Sequence, residues 1–142
     1  MFHGEGYSVS TEAVEALRSV LGRATIKAER WFKSRATVRT RYQWEAKGQL
    51  GDQGNGSVYA FFDAQGHAVY VGETGRSIKS RQHDQTSPHK YARWWGRWTK
   101  VWFVALPNRT DRLTLELLLV LRLSPEFNVK PGRRKIKAMF EP

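Results

Sequence analysis

Two short runs of strand character, Ser57 to Phe62 and Ala68 to Gly72, flank the tetrapeptide Asp63-Ala64-Gln65-Gly66. Val, Tyr and Phe suit a pleated surface, and Asp and Gly supply turn chemistry, so the segment reads as an antiparallel hairpin. A parallel, doubly wound sheet needs a crossover of a dozen residues or more between such strands, and this spacing leaves no room for one. A short basic helix is expected next, from about Arg76 to Gln85, broken by Thr86 to Pro88. A third strand follows from Lys100 to Leu106, ended by Pro107, and then a last helix from Asp111 to Leu123. Asn108 or Thr110 can cap that helix, and Ser124-Pro125 stops it. Strand, strand, helix, strand, helix predicts an α+β domain with a three-stranded antiparallel sheet flanked by helices.

Upstream, Ser10 is a plausible cap for a helix from Thr11 to about Arg35. Val14, Leu17, Leu21, Ala24, Ala28 and Trp31 recur at steps of three and four, which makes an apolar stripe. Arg18, Arg23, Lys27 and Arg30 lie off it, as a solvated face or as contacts to a nucleic-acid backbone. Thr37 to Lys47 alternates with period two and predicts a half-buried strand whose outer face carries Arg39, Arg41, Gln43 and Glu45. The Gly-rich stretch Gly48 to Gly56 is the best boundary in the chain. It divides a basic helix-and-strand extension, residues 1–55, from a domain at 56–142 with a basic tail, Lys130 to Lys137. The extension is expected to contact nucleic acid or to form a dimer.

The charge narrows the partners. The 142 residues hold 24 Lys and Arg against 13 Asp and Glu, a net +11. That excess favours a polyanion. The absence of cysteine excludes disulfide frameworks, zinc fingers and thiol nucleophiles. Met1 to Ser10 has no apolar leader-like core, and the run Leu117 to Leu121 is far too short to span a bilayer. The expectation is a soluble, cytoplasmic protein with a polyanion partner.

Several residues could carry chemistry. Tyr59 and Tyr70 sit on paired strands, so their phenols can approach each other; core packing explains strand tyrosines equally well. A phenol releases its proton near pH ~10 in water, so catalytic use needs a cation close by. Val69 to Gly75 is a strand running into a Gly-rich turn, followed by Arg76, Lys79 and Arg81, a combination that favours phosphate. Glu116 has Leu113, Leu119 and Val120 as its helical neighbours, so its face is apolar. A desolvated carboxylate needs a partner, here either Arg112 one turn back or a divalent cation. Asn128 follows Pro125 in a turn. Trp94, Trp95 and Trp98 crowd one segment, at least one as core and the others as candidates for stacking on an unpaired base.

Together Val58-Tyr59, then Tyr70-Val71-Gly72, then Arg81, Glu116 and Asn128, resemble the GIY-YIG nuclease family, over about Gly56 to Gly132. The resemblance implies an active site of Tyr59, Tyr70, Arg81 and Glu116, closed or supported by Asn128. It implies a divalent-metal-dependent endonuclease that hydrolyses DNA phosphodiester bonds. Glu116 would hold Mg²⁺ or Mn²⁺, and Arg76, Lys79, His83, Arg93, Arg97 and Lys100 would contact the nucleic acid. Arg81 lies eleven residues after Tyr70, which prefers it to Arg76. Where many members carry a histidine one turn after that arginine, this chain has Gln85, and His83 is the remaining candidate. Double-strand cutting from one site per chain favours a homodimer. The alternatives are a non-catalytic nucleic-acid-binding module of the same fold and a small basic RNA-binding protein.

Overall fold

The computed structural model describes residues 8–51, 54–78 and 93–128. Helix α1 spans Thr11–Arg35, capped by the Ser10 side chain, which accepts from the Ala13 amide. Strand β1 (Thr37–Thr40) and the single-turn helix α2 (Arg41–Glu45) follow. The hairpin is β2 (Ser57–Phe62) and β3 (Ala68–Thr74), then come β4 (Lys100–Ala105) and helix α3 (Arg109–Leu123). All pairings are antiparallel, in the order β1-β4-β2-β3.

The architecture is α+β, with two departures from the sequence reading. The sheet has four strands, because β1 of the N-terminal extension pairs with β4, Thr37 opposite Phe103 and Thr40 opposite Lys100. The strand expected to run on to Lys47 stops at Thr40. There Thr40 accepts from the Gln43 amide while the Gln43 side chain accepts from the Thr40 amide, a reciprocal cap that starts a helix. Thr-x-x-Gln is legible in the sequence, but the alternation from Thr37 to Glu45 masks it. Two ends differ by two residues each: β3 runs to Thr74 rather than Gly72, and α3 starts at Arg109, because Asn108 caps it by accepting from the Asp111 amide. Of the helix expected over Arg76 to Gln85, Ile78 is helical and residues 79–85 lie outside the described part.

β2 is central, and every one of its six residues is buried. Its two faces serve two cores. Tyr59 and Phe61 join Trp44, Trp94, Trp98, Val101 and Phe103 on one side. Val58, Ala60 and Phe62 meet Val71, Phe32 of α1 and Leu115, Leu119 and Val120 of α3 on the other. Trp94 and Trp98 are therefore core, and Trp95 packs half-buried against the same cluster. Arg41, expected on an outer face, instead donates to the carbonyls of Trp95 and Trp98 and lies over the Trp98 ring, 4.7 Å from its centroid.

The apolar stripe of α1 is used over its second half. Twenty-five residues make a helix of about 37 Å, and the fifteen of α3 about 22 Å. Ala28, Trp31 and Phe32 pack on the core, whereas Leu17 is 54% exposed. Glu29 joins the helices, accepting from Arg122 at 2.9 Å and pairing with Lys33 at 3.0 Å. The Arg122 hydrogen bond holds the Glu29 carboxyl below its ordinary value of 4.5. A depressed carboxyl contributes stability that is complete above the unfolded value and lost as pH falls through the lower folded one. An exposed pair of this kind contributes about 0.2–1 kcal/mol. Glu29→Gln is therefore expected to lower the denaturation midpoint slightly at neutral pH and to match the wild-type protein once the pH has fallen through the depressed folded value; an equal deficit in both conditions would contradict it.

Candidate active site

The hairpin register brings the tyrosines together. Tyr59 lies opposite Gly72, and Tyr70 opposite Phe61. Tyr59, Phe61 and Tyr70 point to the same face, and the rings of Tyr59 and Tyr70 are 6.4 Å apart between centroids. A Cβ on Gly72 would stand 2.5 Å from the Tyr59 Oη and 2.7 Å from its Cζ. The Tyr59 ring thus lies across the backbone of β3 where only glycine leaves it space. Tyr59 is 1% exposed. Tyr70 is half-buried and stacks on Trp94, 4.7 Å between centroids and 4° from parallel.

Asn128 holds the other edge of β3. Its Nδ2 donates to the Val71 carbonyl and its Oδ1 accepts from the Val71 amide, both at 2.8 Å. The amides of Glu126 and Phe127 donate to the carbonyls of Ala68 and Val69. The turn after α3 therefore covers what would be an open strand edge, next to Tyr70 and Gly72.

Glu116 is half-buried on α3, flanked by the buried residues Arg112, Leu115, Leu119 and Val120. Of the two partners weighed for it, Arg112 is engaged elsewhere: its Nε donates to the Glu73 Oε2 at 2.9 Å. Glu73 follows the Tyr70-Val71-Gly72 signature and had no role in the sequence reading. What made it findable is its place, an acid at the end of a strand that the hairpin aims at α3.

The surface cations behave differently from one another. Arg76, Arg93 and Lys100 are exposed. Arg97 is exposed too, but pairs with Glu126 at 2.9 Å and lies over Phe127. Lys79, Arg81 and His83 lie outside the described residues.

This constellation spans the stretch over which the family model of the GIY-YIG catalytic domain matches, residues 55–128, just over half of the chain. The chain belongs to the GIY-YIG family. Neither the curated proteins nor the solved structures yield a match. Membership makes the function nuclease-type, on a nucleic-acid substrate. Among the described residues no helix is long and apolar enough to cross a membrane. Nor do three metal-ligating side chains cluster among them. The carboxylate of Glu116 is a hard oxygen donor, which fits Mg²⁺, an ion that keeps most of its waters beside one or two carboxylates and a phosphate.

Proposed function

We propose that this GIY-YIG protein is a divalent-metal-dependent DNA endonuclease that hydrolyses phosphodiester bonds. The observation that carries the reading is the pairing of Tyr59 and Tyr70 on one face of the hairpin, their ring centroids 6.4 Å apart. Tyr59 activates the attacking water, and Tyr70 orients water or phosphate. Arg81 neutralises charge on the phosphorus where preorganised charge counts most. Glu116 holds Mg²⁺ or Mn²⁺, which when bound polarises the scissile phosphate and stabilises the leaving 3′ oxygen. Asn128 acts through β3, since its amide is taken up by Val71. Arg76, Lys79, His83, Arg93, Arg97 and Lys100 bind the backbone of the DNA, and the extension at 1–55 contacts the nucleic acid or a second copy.

One observation favours the rival, a non-catalytic nucleic-acid-binding module. Tyr59 is buried and packs on Gly72, which a purely structural tyrosine would also do. Plasmid nicking separates the two. With Mg²⁺ or Mn²⁺ the protein is expected to convert supercoiled DNA to nicked or linear forms, and chelator is expected to stop it while binding persists. Binding without cleavage under either metal, over duplex, single-stranded, flapped and branched substrates, would establish the rival instead.

A further inference from the structure

Arg112 is a buried cation that none of these roles uses. Its side chain is 8% exposed, on α3 one turn before Glu116. Besides the bond from Nε to Glu73, Nη1 donates to the carbonyls of Leu106 and Pro107, at 3.0 and 2.8 Å. Two glycines close round the guanidinium. A Cβ on Gly56, whose φ is +118°, would stand 2.6 Å from Nη1, and one on Gly75 would stand 3.4 Å from Nη2. The group is thus threaded between the residue that leads into β2 and the turn that leaves β3. It also grips the loop that joins β4 to α3.

Several of these points lie close in sequence to a residue of the proposed chemistry. Gly56 is three residues before Tyr59, Glu73 directly follows Gly72, and Glu116 is one helical turn from Arg112. Helix α3 otherwise meets the sheet through Leu115, Leu119 and Val120, and apolar contacts set no direction. A planar fork with three protein acceptors in fixed directions does.

Resting on the nuclease reading above, we propose that Arg112 and Glu73 are positioning residues whose ion pair locks Glu116 in place against the Tyr59–Tyr70 hairpin. Neither needs to touch the phosphate, because Nε and Nη1 are spent on protein acceptors. Glu73→Gln keeps an acceptor oxygen but removes the charge. Arg112→Lys keeps the charge but loses the fork. Misplacing a reacting group by about 1 Å can cost up to about 10²-fold in rate.

The test is single-turnover cleavage with Mg²⁺, beside DNA affinity and thermal midpoint, for Glu73→Gln, Arg112→Lys and Arg122→Gln. The last removes the α1–α3 bridge and serves as the control for lost stability. The expected result is a fall in kcat of about 10-fold to 10²-fold for the first two, with DNA affinity within about 2-fold. Arg122→Gln is expected to keep the wild-type kcat. The fall should persist on cooling, where all the chains are folded. Should Arg112→Lys fail to fold, Glu73→Gln carries the measurement alone. Variants with wild-type kcat, or with losses that vanish as the folded fraction recovers, overturn the positioning role and leave the nuclease reading standing. A wild-type protein inert with both metals overturns the two together.

Discussion

Glu116→Ala is expected to lower the cleavage rate by about 10²-fold or more while leaving the fold in place. The side chain is half-buried on a helix whose grip on the sheet comes from Leu115, Leu119 and Val120, so truncation removes charge and little packing. Alanine is also the best helix former, which helps to hold the thermal midpoint. Glu116→Gln is expected to lose nearly as much rate, because an amide of the same shape is a poor ligand for a hard divalent cation. The measurements are single-turnover cleavage with Mg²⁺, together with DNA affinity and the midpoint. Wild-type cleavage by Glu116→Ala would remove the glutamate from the chemistry and the metal from its proposed place.

Asn128→Ala is expected to have the largest effect on stability. It strands the amide and the carbonyl of Val71, each now paired at 2.8 Å with a buried side chain. A buried polar group left unpaired costs about 1–3 kcal/mol, so losing both partners costs about 2–6 kcal/mol. For a chain of this size that is a fall in Tm of about 5–15 °C. Asn128→Asp should be no better, since a carboxylate would face the Val71 carbonyl with no hydrogen to offer. Cleavage should fall as well, because Val71 lies between Tyr70 and Gly72. A Tm within about 1 °C of wild type would show that the clamp contributes nothing.

Periodicity and capping chemistry made much of the fold legible. α1 runs over the predicted residues, with Ser10 as its cap, and β2 has the predicted bounds. These features are local: a side-chain oxygen near free amides, and strand-forming residues beside a turn. The misreadings came where two local signals competed. From Thr37 onward an alternating pattern overlapped a Thr-x-x-Gln cap, and the cap prevailed after four residues. The number of strands is a different matter. Nothing in Thr37 to Thr40 states that its partner is β4, sixty-four residues away for the pair Val38–Trp102, because strand pairing is non-local.

The site divides in the same way. The resemblance carried by Val58-Tyr59 and Tyr70-Val71-Gly72 singles out Tyr59, Tyr70, Glu116 and Asn128 as candidates, and the short hairpin sets the two tyrosine strands side by side. The destination of Arg112 could not. Helical spacing offered it Glu116, and the structure gives it Glu73, thirty-nine positions away. Likewise the alternation in sequence turns Arg41 outward, and the structure holds it on the Trp95 and Trp98 carbonyls. Capping and turn chemistry act within a turn or two of chain, so the sequence alone determined the hairpin, helices α1 and α3, and the excess of positive charge. Which cations face solvent, which brace the core and which residue closes the edge of β3 were decided by tertiary packing. A buried guanidinium or amide must find its acceptors wherever the fold brings them.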